Sequence, residues 1–146
     1  MAFSQQDTEC MALALKLSKK GRASVGANPM VGCVIVRNGK IVAQDYHRRY
    51  GKGHAEVNAL DQIKHKGKDT KLYVTLEPCS HQGKTPPCTK ALIKAGVKKA
   101  VVAMLDPNPM VSGRGVKLLK DAGIEVDIGL LQSEAMELNR GFIKRM

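Results

Sequence analysis

Aromatic residues are scarce in this chain of 146 residues, which has two Phe, three Tyr and no Trp. Proteins that bind single-stranded nucleic acid stack the bases on aromatic side chains, so the scarcity disfavours that class of protein. Acidic residues are also few, 13 against 24 Lys and Arg, and the net charge is +11. Because the basic residues are spread along the whole chain, we interpret them as a solvated surface; attraction of a phosphorylated, anionic substrate is the alternative.

The chain also lacks a long hydrophobic run and a secretory leader. Its longest apolar stretch, around Val31 to Val36, is too short to cross a bilayer, and residues 1–6 lack the basic and apolar pattern of a signal peptide. We therefore expect a soluble, cytoplasmic protein. The length and the scattered Gly and Pro predict one domain over residues 1–146.

Cysteines number only four, and in a cytosolic chain they serve metal binding or catalysis more often than disulfides. Cys79 and Cys88 share one loop that is rich in Gly and Pro. Cys10 and Cys33 lie in apolar segments, where we expect them to be buried as small hydrophobic residues. The loop with two cysteines is therefore the place to look for a metal.

The hydrophobic pattern predicts a mixed α/β fold. An Asn38-Gly39 hairpin joins the first two strands, and the later strands alternate with helices, which favours parallel pairing there. The expected strands cover residues 31–36, 41–46, 71–76, 99–105 and 124–128, and the expected helices cover 4–20, 55–63, 87–95, 115–122 and the tail from 132. This order predicts a three-layer α/β/α sandwich around a central mixed sheet of about five strands.

The most specific motif is His54-Ala55-Glu56, followed by Pro78-Cys79 and then Cys88. One imidazole and two thiolates supply three zinc ligands and leave the fourth position of a catalytic site to water. Glu56 would take the proton of that activated water and deliver it to a ring nitrogen, as in zinc deaminases, whose motif has this order. We predict one Zn²⁺ per chain, held by His54, Cys79 and Cys88, with Glu56 as the catalytic acid and base.

The expected position of two ligands supports this interpretation. His54 and Cys79 are each predicted to lie where a helix starts, and the positive end of a helix favours a thiolate. A structural zinc site is the alternative, and it would need a fourth ligand, which His81 or His47 could provide.

Four segments resemble the deaminase domain of the bifunctional riboflavin-biosynthesis deaminase–reductases: residues 28–36, 54–60, 75–88 and 106–109. The resemblance covers nearly the whole chain and implies a cytidine-deaminase-like fold. It also implies hydrolytic deamination of 2,5-diamino-6-ribosylamino-4(3H)-pyrimidinone 5′-phosphate, which yields 5-amino-6-ribosylamino-2,4(1H,3H)-pyrimidinedione 5′-phosphate and ammonia. Eight residues separate Cys79 from Cys88, whereas other deaminases of the fold usually have two.

By motif match, the resemblance gives six substrate-contact candidates: Asn28, His47, His81, Lys84, Asp106 and Asn108. Each also has a structural interpretation. The Asn and Asp residues precede prolines or lie between them and could form turns, His47 could be a solvated loop residue, and Lys84 could be a surface lysine. We expect His65 to be a surface residue.

Proteins of the resembled family usually continue into a nicotinamide-dependent reductase domain. This sequence stops at Met146 and has no Gly-rich dinucleotide fingerprint, so we expect the reductase step on a separate polypeptide. The amphipathic tail and small size favour a homo-oligomer.

Two other functions stay open: another cytosine or nucleotide deaminase of the fold, such as a deoxycytidylate deaminase, and a basic nucleic-acid-binding protein with structural zinc.

Overall fold

A computed structural model of the chain describes residues 3–21, 29–48, 54–81 and 86–140. Five strands are present in these residues: β1 (Gly32–Arg37), β2 (Lys40–Tyr46), β3 (Thr70–Val74), β4 (Lys99–Val102) and β5 (Glu125–Ile128). The helices are α1 (Gln5–Ser18), α2 (Ala55–Gln62), α3 (Cys88–Ala95), α4 (Arg114–Asp121) and α5 (Gln132–Leu138). A short 3₁₀ turn, Lys19–Gly21, continues α1.

The strands form one sheet in the order β2-β1-β3-β4-β5. Strand β1 is antiparallel to both of its neighbours, whereas β3, β4 and β5 run parallel. The predicted mixed sheet of about five strands is therefore confirmed. Because of this topology, the start of β1 and the carboxyl ends of β3 and β4 meet at one edge of the sheet.

Helices cover both faces of this sheet. Successive residues of a strand point to opposite faces. Gly32 faces α1 so closely that a Cβ atom there would lie 1.8 Å from the Ala14 carbonyl oxygen. The next residue, Cys33, faces α2, where burial and then the carboxyl group of Glu56 raise the pKa of its thiol. Helices α2, α3 and α4 contact one another in chain order and form the second layer, which confirms the three-layer sandwich.

The core consists of apolar side chains from both faces of the sheet, including the fully buried Met11, Ile35, Leu60, Leu72, Leu92 and Leu119. Cys10 and Cys33 are buried, as predicted. Within the described parts of the chain, no helix combines the length and the apolar composition that a membrane span requires.

Two strands end earlier than predicted. Strand β3 ends at Val74 rather than Leu76. Thr75 still bonds Gly32, since its backbone N–H donates to the Gly32 carbonyl oxygen and its hydroxyl oxygen accepts the Gly32 N–H, each at 3.1 Å. Strand β4 ends at Val102 rather than Leu105. The shortened strands leave residues 75–79 and 103–113 as loops at the same edge of the sheet.

Candidate active site

Three predicted zinc ligands converge at this edge although they lie on separate elements. His54 is the residue before α2, Cys79 lies in the loop after β3, and Cys88 is the first residue of α3. The potential ligand atoms lie within 4.8 Å of one another. The Nδ1 atom of His54 is 3.1 Å from Cys88 Sγ and 3.7 Å from Cys79 Sγ. One nitrogen and two sulfurs at such separations fit a zinc ion.

Cys79 is placed differently from the sequence prediction. It does not start a helix, so that expectation was wrong; Cys88 occupies the start of α3 instead. The Cys79 sulfur nevertheless accepts a hydrogen bond from the Cys88 backbone N–H at 3.1 Å, in the first turn of that helix. Hydrogen bonding from the Cys88 thiol, from that N–H and from His54 lowers the pKa of Cys79. The sulfur is thus prepared to act as a thiolate ligand.

The carbonyl group of Cys79 is fixed as well. The backbone N–H and the hydroxyl of Thr89 both donate to the Cys79 carbonyl oxygen, at 3.2 and 3.0 Å. Thr89 is 2% exposed, so these bonds are shielded from water. Helix α3 therefore holds both the sulfur and the backbone of the loop that carries Cys79.

Glu56 lies in the first turn of α2 and is 3% exposed. Burial raises the pKa of its carboxyl group to about 7, against the opposing effect of the charge on His54. A carboxyl group with a pKa near neutrality can both accept and return a proton. Among the described residues, the cluster of potential metal ligands contains only the His and the two Cys, so Glu56 stands beside it as a separate group.

His47 is buried beside the cluster. It follows β2, its exposed fraction is 6%, and its ring packs edge-to-face on His54 with a centroid distance of 5.2 Å. The structural interpretation of His47 as a solvated loop residue was therefore wrong. Within the described part of the chain, neither His47 nor His81 belongs to the group of potential ligands. A four-ligand structural zinc site thus gains no support from either histidine.

A shallow, open cleft adjoins Cys79. Its lining includes two of the predicted substrate contacts, His81 and Asp106, and consists of Glu77, Pro78, Cys79, Ser80, His81, Asp106, Val111 and Gly115. The exposed ring of His81 stands next to the candidate metal site. The cleft thus meets the candidate metal site at Cys79, whereas His54, Glu56 and Cys88 are not among its lining residues.

The remaining predicted contacts have different outcomes. Asn108 does not line the cleft; its side-chain oxygen accepts the Met110 N–H at 3.0 Å, so it shapes the turn, as its structural interpretation held. Asn28 and Lys84 lie outside the described residues. His65 is exposed and pairs with Asp61, as expected of a surface residue.

Two buried polar residues were missed by sequence reasoning. Glu77 is 5% exposed and accepts three backbone N–H groups, a role signalled in the sequence only by an acidic residue directly before Pro78-Cys79. Asn139 is 4% exposed, and its amide bonds both the N–H and the carbonyl group of Met30, at 2.8 and 3.1 Å. No local sequence signal indicates this second role.

Comparison with known proteins gives a consistent result. The profile described as "Cytidine and deoxycytidylate deaminase zinc-binding region" matches residues 4–104. The chain is 57% identical over 141 residues to riboflavin biosynthesis protein RibD of Escherichia coli, covering 97% of this chain and 38% of that protein. It is 51% identical to the diaminohydroxyphosphoribosylamino-pyrimidine deaminase of Buchnera aphidicola subsp. Schizaphis graminum, covering 97% of this chain and 96% of that protein.

A solved structure shows the same fold. Acinetobacter baumannii RibD superimposes with a TM-score of 0.94 at 51% identity, over 97% of this chain and 40% of that one. The chain thus spans about two fifths of the length of the RibD proteins that it matches, and nearly the full length of the Buchnera protein.

Proposed function

The chain belongs to the cytidine and deoxycytidylate deaminase family, whose zinc-binding region it shares. We propose that it is the deaminase of riboflavin biosynthesis. The proposed substrate is 2,5-diamino-6-ribosylamino-4(3H)-pyrimidinone 5′-phosphate. The products are 5-amino-6-ribosylamino-2,4(1H,3H)-pyrimidinedione 5′-phosphate and ammonia. The observation that carries this proposal is the buried Glu56 beside the His54, Cys79 and Cys88 cluster, in a chain 51% identical to a protein named for this deamination.

We assign one zinc ion per chain to His54 Nδ1 and the two sulfurs of Cys79 and Cys88, whose separations and donor types suit it. When bound, zinc supplies Lewis acidity and lowers the pKa of water toward about 7. His54 must be neutral to serve as a ligand, so loading of the site releases protons.

Proton transfer belongs to Glu56. A water molecule attacks C2 of the pyrimidine ring, a C–O bond forms, and Glu56 accepts the proton that water loses. Glu56 delivers that proton to the ring nitrogen next to C2. The hydroxyl group now on C2 then loses its proton, which Glu56 passes to the amino group, so that the C–N bond breaks, C2 becomes a carbonyl carbon and ammonia leaves. Because Glu56 is only 3% exposed, bulk water does not compete for these protons.

Substrate binding is assigned to the cleft beside Cys79. His81 and Asp106 line it and can bond the polar groups of the ribosyl phosphate substrate. The net charge of +11 favours the approach of a phosphorylated molecule. The contacts by Asn28 and Lys84 and the homo-oligomer stay predictions.

A direct assay tests this proposal. Purified, zinc-loaded protein is incubated with the diaminopyrimidine ribosyl phosphate and, in parallel, with deoxycytidylate, and ammonia release is measured for both. We expect kcat/KM for the diaminopyrimidine to exceed that for deoxycytidylate by at least about 100-fold, because sites built for one set of polar groups reject others strongly. Faster turnover of the cytosine nucleotide would replace the proposed substrate with that one.

A further inference from the structure

Glu77 is joined to a distant segment of the chain by three hydrogen bonds. Its Oε1 atom accepts the backbone N–H groups of Asp106 and Gly113, and its Oε2 atom accepts that of Val116, each at 3.0 Å. Helix α4 has no capping side chain of its own, so Glu77 satisfies the free N–H groups at its start. A side chain from the loop after β3 therefore fixes both ends of residues 106–116.

Close backbone packing reinforces this attachment. A Cβ atom on Gly115 would lie 2.0 Å from the carbonyl oxygen of Pro78 and 3.2 Å from Cγ of Glu77. Only glycine allows the first turn of α4 to approach the Glu77–Pro78 backbone this closely. The start of α4 thus rests directly on the two residues that precede Cys79.

The attached segment forms one wall of the cleft. Asp106, Val111 and Gly115 line it on this side, and residues 78–81 line the other. The proton-transferring residue and two of the three potential zinc ligands lie elsewhere, on α2 and α3. Cys79 is held independently of Glu77 by hydrogen bonds from the first turn of α3. The wall of the cleft can therefore shift while Glu56 and the potential zinc ligands keep their positions.

We propose that Glu77 is a positioning residue that determines substrate affinity, because it holds residues 106–116 in place as the wall of the substrate cleft. The inference rests on the proposed function for the identity of the substrate and for the assignment of the cleft as its binding place. Its physical basis is a buried carboxyl group with three backbone donors, an arrangement in which loss of one acceptor leaves a buried N–H group unpaired.

The substitution Glu77→Gln tests this role. Glutamine keeps one acceptor oxygen but presents an NH₂ group to one of the backbone N–H groups, so at least one bond is lost with little change in volume. We expect KM for the diaminopyrimidine ribosyl phosphate to rise at least about tenfold, with kcat within about threefold of the native value. Zinc per chain, measured by elemental analysis, should be unchanged.

Two further variants separate positioning from a general loss of stability. Gly115→Ala pushes α4 away from Pro78 and leaves the carboxyl group of Glu77 chemically intact, and it should give the same rise in KM. Ser4→Ala removes the cap of α1. The first turn of this helix contacts the β1–β2 hairpin, at the opposite end of the sheet, through the bond from Gln6 to Gly39. This variant should leave KM unchanged.

Amide hydrogen exchange provides a measurement that needs no substrate. The amides of Asp106, Gly113 and Val116 should exchange slowly in the native protein and at least about tenfold faster in Glu77→Gln. Slow exchange in both proteins, an unchanged KM, or loss of zinc together with kcat would each overturn the proposal. If the native protein deaminates deoxycytidylate instead, the same KM comparison is made with that nucleotide. Failure of the proposed function is then distinguished from failure of the role proposed for Glu77.

Discussion

The side-chain amide of Gln62 pairs with the backbone of Gln44 as a neighbouring strand would. Its Nε2 atom donates to the Gln44 carbonyl oxygen at 2.7 Å, and its Oε1 atom accepts the Gln44 N–H at 3.2 Å. One turn earlier on α2, Asn58 donates to the Tyr46 carbonyl oxygen at 3.0 Å. Strand β2 is an edge strand, so these two side chains occupy backbone groups that would otherwise be open to pairing with another chain.

Replacing Gln62 with Ala should therefore destabilise the protein. The variant loses the two bonds to Gln44 and a third to Asp45, and we expect a loss of about 1–2 kcal/mol in the free energy of unfolding, measured by urea denaturation. Gln5→Ala is the control, because Gln5 makes an exposed bond to Glu9 within α1 and should change stability by less than about 0.5 kcal/mol. Equal effects of the two substitutions would contradict the role of Gln62 at the edge.

Replacing Glu56 with Gln should abolish most turnover while zinc stays bound. The amide cannot accept a proton from water, and general acid and base catalysis contributes roughly 10²–10⁴-fold to rate. The measurement is kcat for ammonia release together with zinc content and circular dichroism. An active Glu56→Gln variant would show that another group moves the protons.

Replacing Cys88 with Ser should remove the metal. The thiolate contributes one of the three potential ligand atoms, and a hydroxyl group is a poor substitute for it. Elemental analysis after dialysis should find much less than one zinc per chain. Cys10→Ala is the matched control, since Cys10 is a buried residue of α1 outside the group of potential ligands and its loss should leave zinc in place. Full zinc occupancy in Cys88→Ser would refute the ligand assignment.

Stability should fall in acid because of Asp7. Burial alone would raise its pKa, but hydrogen bonds from Tyr73, Ser4 and Lys71 outweigh that effect and lower the pKa well below the ordinary 3.8. A lowered folded-state pKa contributes stability that is complete above the unfolded value and is lost as pH falls below it. Urea midpoints should therefore decrease as pH falls below about 4.

The substitution Asp7→Asn tests this dependence. It should cost about 1–3 kcal/mol at pH 7, where the native carboxylate contributes fully, and flatten the decline in acid. Asp121→Asn, which affects an exposed pair with Lys117, should change neither value by more than about 0.5 kcal/mol. A decline equally steep in Asp7→Asn would assign the acid sensitivity to other groups.

Sequence patterns predicted those features whose signals are local. The Asn38-Gly39 turn and the alternation of strands and helices predicted the mixed five-strand sheet, which is what the structure shows. The order of His54, Glu56, Cys79 and Cys88 likewise predicted residues that the fold brings together. In each case the residue types and their order along the chain carry the information.

Features that depend on partners far along the chain were not predictable in this way. Glu77 bonds residues up to 39 positions away, and Asn139 bonds Met30 across 109 positions, so neither role leaves a pattern in its own segment. The sequence likewise left open whether His47 lies at the site or in a solvated loop, because its burial depends on packing against His54 of a different element. A local sequence pattern does not predict which side chains from distant segments of the chain will pack together.

The bond between Asn139 and Met30 has a consequence for how the protein is made. On a ribosome, all three potential zinc ligands have been synthesised once Cys88 is added, whereas Met30 must wait for Asn139 further along the chain. Met30 adjoins Val31, whose carbonyl oxygen accepts the backbone N–H of His47 beside the cluster. A nascent chain thus carries all three potential ligands before this flank of the candidate site is fastened.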